Sequence, residues 1–160
     1  MESKMFVVVN STIIKGGDSC NGLLYSEDCG KTWNQSNIDT GDFDCLINIG
    51  NTIIAGSWSN RGLYYSEDNG KTWNQSNITS KNFRCLIAIG NTVIAGSDSY
   101  RGLYYSEDKG KTWHYSNVKI GDFICLTISD SIVIADSRYD KSLLYSEDKC
   151  KTWKQSNYIK

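Results

Sequence analysis

Ser26-Glu27-Asp28-Cys29-Gly30-Lys31-Thr32-Trp33 is a phrase that this 160-residue chain uses four times. It returns at Ser66–Trp73, at Ser106–Trp113 and, with Cys150 in the place of its glycine, at Ser146–Trp153. The spacing is 40 residues throughout, without insertion, and the four copies account for the chain. A strict period of this length marks one supersecondary unit copied and stacked, each copy burying the face of its neighbour.

Outward from the phrase, the third copy reads as four short strands. Phe83-Arg84-Cys85-Leu86-Ile87-Ala88-Ile89 is β-branched and apolar on both faces, so both sides expect cover. Gly90-Asn91 suits a two-residue hairpin with glycine first. Thr92 to Gly96 forms a second strand, Ser97 to Arg101 a polar loop, Gly102 to Ser106 a third strand, and Thr112 to Ser116 a fourth. The second and third copies share 27 of 40 residues. No helical period of useful length occurs. Even spacing, short strands and a recurring aromatic-plus-glycine motif predict an all-β β-propeller of four four-stranded antiparallel blades, at 1–40, 41–80, 81–120 and 121–160, in a single domain. A flat β-solenoid would need shorter rungs.

The phrase resembles the Asp-box, Ser-x-Asp-x-Gly-x-Thr-Trp, of the sialidase-type (BNR) propeller repeats. The resemblance implies a hairpin between the third and fourth strands of each blade. The side chains themselves suit a folding device. Asp28, Asp68, Asp108 and Asp148 can accept from backbone N–H groups of their own turn, beside Ser26, Ser66, Ser106 and Ser146. Gly30, Gly70 and Gly110 permit a left-handed backbone. Thr32, Thr72, Thr112 and Thr152 add a hydroxyl, and Trp33, Trp73, Trp113 and Trp153 a large apolar body for the space between blades. Cys150 would strain the fourth turn if its φ is positive, and Ser142 stands there for Gly62 and Gly102.

The sialidase activity that the resemblance brings to mind needs an arginine triad, a Tyr/Glu nucleophile pair, an acidic residue and an Arg-Ile-Pro segment. This chain has no proline and four arginines, Arg61, Arg84, Arg101 and Arg138, of which Arg61 and Arg101 are repeat-related. Its single histidine, His114, replaces Asn34 and Asn74 on a strand. The expectation is a non-catalytic protein without metal or cofactor.

Composition excludes further classes. With 17 basic and 18 acidic residues the net charge is −1, which gives no pull toward nucleic acid or an anionic membrane. No stretch approaches the roughly 20 apolar residues of a membrane span. The apolar run Phe6-Val7-Val8-Val9 is short for a signal peptide, so a cytoplasmic protein is expected. Cys45, Cys85 and Cys125 share a repeat position in a hydrophobic strand and are expected as buried free thiols; without a Cys-x-x-Cys pair, zinc is not expected. Sequons such as Asn34-Gln35-Ser36 and Asn77-Ile78-Thr79 are expected to be coincidental.

Antiparallel connection puts the boxes at one end of every blade, and the second-to-third loops with the blade connections at the other. The copies disagree at that second end. The loops read Gly17 to Asn21, Ser57-Trp58-Ser59-Asn60-Arg61, Ser97-Asp98-Ser99-Tyr100-Arg101 and Ser137-Arg138-Tyr139-Asp140-Lys141. Trp58, Arg61, Asp98, Tyr100, Arg101, Arg138 and Tyr139 are therefore the candidate binding residues, fit to stack on a sugar or grip a peptide carboxylate. Neutral drift of exposed loops is the competing reading. The function expected is a binding module for a protein or glycan, with a structural or assembly role as the alternative. Each copy ends on its own fourth strand, so closure must come by face packing. A four-bladed monomeric ring is expected, and two chains paired head to tail in an eight-bladed ring are the other solution.

Overall fold

The computed structural model describes residues 6–17, 21–98, 101–138 and 142–157, which form four sheets of four antiparallel strands. Blade 1 comprises β1 (Phe6–Val9), β2 (Thr12–Gly16), β3 (Leu23–Ser26) and β4 (Asn34–Gln35). Blade 2 comprises β5 (Phe43–Ile49), β6 (Thr52–Ser57), β7 (Leu63–Ser66) and β8 (Asn74–Gln75). Blade 3 has β9 (Phe83–Ile89), β10 (Thr92–Ser97), β11 (Leu103–Ser106) and β12 (His114–Tyr115), and blade 4 has β13 (Phe123–Ser129), β14 (Ile132–Ser137), β15 (Leu143–Ser146) and β16 (Lys154–Gln155). Strand order within each sheet follows chain order. The fold is the β-propeller expected, and no helix among the described residues is long and apolar enough to cross a membrane.

The fourth strands are two residues long, shorter than expected, because the box keeps its threonine. In blade 3 the Ser106 hydroxyl donates to Asp108 Oδ1 at 2.7 Å and accepts the Gly110 N–H at 2.8 Å. Asp108 then accepts the Thr112 N–H at 2.8 Å and its hydroxyl at 2.6 Å. The same bonds recur at Asp28, Asp68 and Asp148. Two consecutive residues, not the glycine alone, take a left-handed backbone: Lys109 (φ 58°) precedes Gly110 (φ 86°). In the fourth box the pair is Lys149 (φ 56°) and Cys150 (φ 72°), a conformation costing an L-residue roughly 1–2 kcal/mol. The Cys150 side chain offsets this by burial against Ile94 and Trp153.

The Thr32 hydroxyl and N–H, with Ser26, hold the Asp28 carboxyl down at about 2. At Asp68, Asp108 and Asp148 burial works the other way, yet the threonine and serine donors prevail and these acids also sit below their ordinary value.

Hydrophobic cores lie between blades. Ile14 and Leu23 of blade 1 pack with Phe43, Ile53, Tyr64 and Trp73 of blade 2; Ile54 and Leu63 pack with Phe83, Val93, Tyr104 and Trp113; Ile94 and Leu103 pack with Phe123, Val133 and Trp153. The box turn of one blade seats on the isoleucine of the blade before. A Cβ on Gly70 would stand 2.6 Å from Ile14 Cγ1, and one on Gly110 2.6 Å from Ile54 Cγ1. Two expectations need correction. Trp33 is 38% exposed, whereas Trp73 and Trp113 are 4% and 2% exposed. Cys125 is exposed, whereas Cys45 is buried and its thiol meets the Phe83 carbonyl of the next blade. Both lie on end faces of the array, against which no blade packs in the described structure.

Two outcomes follow. Gly110→Ala must both strain the turn and press on Ile54, and we expect a loss of about 2–4 kcal/mol by urea denaturation. Gly50→Ala (φ 58°, open space around it) meets only the backbone penalty and loses about 1 kcal/mol. The boxes also tie stability to pH. A depressed native carboxyl stabilises fully above its unfolded pKa near 4 and loses that contribution as pH falls through the native value. For Asp28 the window is therefore from about pH 4 down to about 2. Acid titration of Asp28→Asn should show a smaller fall in stability across that window than the native chain.

Candidate binding surface

On the face opposite the boxes, the second-to-third loops of blades 2, 3 and 4 are tied to the connections entering their own blades. The Trp58 N–H donates to the Asp42 carbonyl at 2.8 Å, the Asp98 N–H to Asn82 at 3.0 Å and the Arg138 N–H to Asp122 at 2.9 Å. Positions 58, 98 and 138 are thus one backbone site, filled by an indole, a carboxylate and a guanidinium. Invariant geometry with changing chemistry is what a recognition surface on a copied frame requires.

The side chains meet at Arg84. Its guanidinium carbon lies 3.7 Å from the centre of the Trp58 ring, a cation–π stack between blades 2 and 3. Its Nε donates to Asp98 Oδ2 at 3.2 Å. Burial pushes the Asp44 carboxyl above its ordinary value, against the smaller opposing pull of the Arg84 charge. Beyond Asp98 stands Asp122 of blade 4. It is 1% exposed, and its two carboxylate oxygens have no hydrogen-bond partner among the described residues. Burial, then the adjacent Asp98 carboxylate, push the Asp122 carboxyl up, against the opposing pull of Arg84 and Arg138. The row Trp58–Arg84–Asp98–Asp122–Arg138 therefore runs unbroken over three blades.

A second cluster lies further out on blade 3. The Lys81 ammonium donates to both the Tyr104 and the Tyr115 hydroxyl and covers their rings at 4.9 and 4.5 Å. The two rings are 4.4 Å apart. Burial raises the Tyr104 phenol, whereas the Lys81 bond lowers that of the exposed Tyr115. The charge of Arg101 reaches both phenols.

The structure joins two of the expected site residues, Trp58 and Asp98, through Arg84, and sets Arg138 beside Asp122. Arg61 stands apart, its side chain laid over Gly41, where a Cβ would be 2.8 Å from its Cδ. Arg101 belongs with the tyrosine cluster. Tyr100 and Tyr139 lie outside the described residues. Sequence reading overlooked Arg84, Asp122, Lys81, Tyr104 and Tyr115. A signal for Arg84 existed: its repeat equivalents are Asp44 and Ile124, so the copies disagree in charge at this position of the strand as they do in the loops. Tyr115 likewise stands where Gln35 and Gln75 bond the carbonyls of their own blades. Among the described residues no group of three or more His, Cys, Asp or Glu is placed to hold a metal ion.

The family model for the BNR/Asp-box repeat matches residues 64–75 and 104–115. The chain carries BNR/Asp-box repeats. No curated protein matches it. Solved structures share the fold at low identity. The computationally designed Ika8 protein superposes with a TM-score of 0.72 at 9% identity, over 91% of this chain and 46% of that one. YCF48 from Cyanidioschyzon merolae gives 0.63 at 14% identity, over 97% and 56%. The GH74 enzyme of Niastella koreensis gives 0.64 at 24% identity, over 90% and 22%. The chain thus spans about half the length, or less, of these structural neighbours.

Asp122 offers a direct test of the row. An acid whose native pKa is raised binds its proton more tightly in the folded state, so it costs stability as pH rises through that pKa. Asp122→Asn removes the charge and keeps the shape. We expect it to stabilise the chain by about 1 kcal/mol at neutral pH and by less at pH 4, measured by urea denaturation at both.

Proposed function

We propose that the chain is a non-catalytic binding module whose loop face, opposite the Asp-boxes, takes a peptide segment of a protein partner. The observation that carries this is the stack of Arg84 on Trp58, locked from its other side by Asp98. An indole and a guanidinium held in place before binding lose little freedom on contact, and both types dominate binding energy at interfaces. Around them the exposed Arg61, Arg101 and Arg138 provide forks for carboxylates. A structure titled YCF48 bound to D1 peptide, 21% identical to this chain with a TM-score of 0.61, supports the suitability of such a frame for peptides. The absence of a sialidase-type arginine triad from the sequence favours binding over hydrolysis. A glycan partner is the second reading, favoured by the exposed ring of Tyr115 with the Lys81 ammonium beside it.

The test uses a displayed random-peptide library and a glycan array, each probed with the native chain and with Trp58→Ala/Arg84→Ala. Peptides selected by the native chain should bind the double variant at least tenfold more weakly, and Lys109→Ala on the box face should bind them unchanged. Selection of glycans alone would transfer the proposal to the second reading. Ligands that tolerate the double variant, or an empty selection, would overturn it.

A further inference from the structure

Every junction between successive blades repeats the same contacts. The Asn37 amide accepts the Trp73 N–H at 2.7 Å and donates to the Trp73 carbonyl at 3.0 Å. Asn77 does the same to Trp113, and Asn117 to Trp153. The Lys71 ammonium pairs with Glu27 at 2.7 Å, Lys111 with Glu67 at 2.8 Å and Lys151 with Glu107 at 2.9 Å. The isoleucine at 14, 54 or 94, completely buried, receives the box turn of the blade that follows.

Each end of the array holds one half of a further junction. On blade 1, Trp33 is exposed beside the 51% exposed Phe6, Val8 is 61% exposed, and Lys31 has no ion-pair partner among the described residues. On blade 4, Asn157 is exposed, Ile134 is only half-buried, and Glu147 pairs with Lys154 of its own blade at 2.8 Å. Lysine at position 154 has no counterpart in the other copies, which carry Asn34, Asn74 and His114 there. The rim of the junction is therefore intact in sequence at both ends. Its centre is exchanged: Gly16, Gly56 and Gly96, which leave room for Phe43, Phe83 and Phe123, are matched in blade 4 by Asp136. Forty residues before Phe43 the sequence has Ser3.

We propose that the blade 4 face of this chain binds the blade 1 face of a second copy, and that two such heterologous junctions close an eight-bladed, two-fold ring. Repeat arrays need polar caps on their terminal faces to stay dispersed, and these ends present Trp33, Phe6, Val8 and Ile132 instead. The two ends complement each other in shape, hydrogen bonding and charge, and neither complements itself. Head-to-tail contacts of that kind either close into rings or run on into filaments. In this ring Asn157 takes the partner's Trp33 backbone, Ile134 takes its indole and box turn, and Glu147 exchanges Lys154 for the partner's Lys31.

Light scattering on the purified chain tests this. We expect twice the 18.0 kDa of one chain. Trp33→Ser and Ile134→Asp, at opposite ends, should each reduce the mass to one chain with an unchanged far-UV circular dichroism spectrum. Mixed together, they should recover a two-chain species through the one junction that remains sound. Should either of these variants misfold, the exposed charge pair decides: Lys31→Glu should weaken association on the order of tenfold across two junctions, and Lys31→Glu/Glu147→Lys should restore it. A native mass of one chain or of more than two, loss in variants of one end only, or failure of the charge exchange to restore association overturns the proposal.

Discussion

The grip of an aspartate on the threonine four residues later holds this fold together. Through it the carboxylate satisfies an N–H and a hydroxyl that the end of a strand would leave to water, and it closes a turn with two left-handed residues. The turn then projects tryptophan sideways, out of its own sheet and onto the preceding blade. Local hydrogen bonding and long-range packing are thus one device. A blade without its box would lose the side chain that binds it to its neighbour as well as its own hairpin.

The period and the strands were legible because hydrophobic alternation and turn residues act locally, and the copies vote together. The extent of β12 was not, since Thr112 reads equally well as strand; only the bond to Asp108 assigns it to the turn. The positive φ of Lys109 was hidden for the same reason. Trp33 and Cys125 were misjudged because burial in a repeat protein belongs to the junction, and a residue inside one copy cannot tell whether another copy faces it.

The binding face was half legible. Divergence among loops pointed to Trp58 and Asp98, but the residue that unites them sits inside a strand of the next blade. Arg84 reaches Trp58 from 26 positions along the chain and Asp98 from 14, across one seam and within one sheet respectively. The seam itself is therefore part of the surface, and loop comparison alone cannot find residues that converge on it.

The bond of Asn37 to Trp73 has a wider consequence. The amide hydrogen-bonds to the main chain of its neighbour, at both its N–H and its carbonyl. This bond reads the backbone of the next blade and none of its side chains, which the packing at the same junction reads instead. It also has direction: each unit offers an amide forward and a peptide group backward. Duplicating forty codons would therefore add a blade and a finished joint in the same event, leaving the older joints untouched. Growth of the array is open to mutation in whole units, and the chemistry on its outer face can diversify without renegotiating the frame.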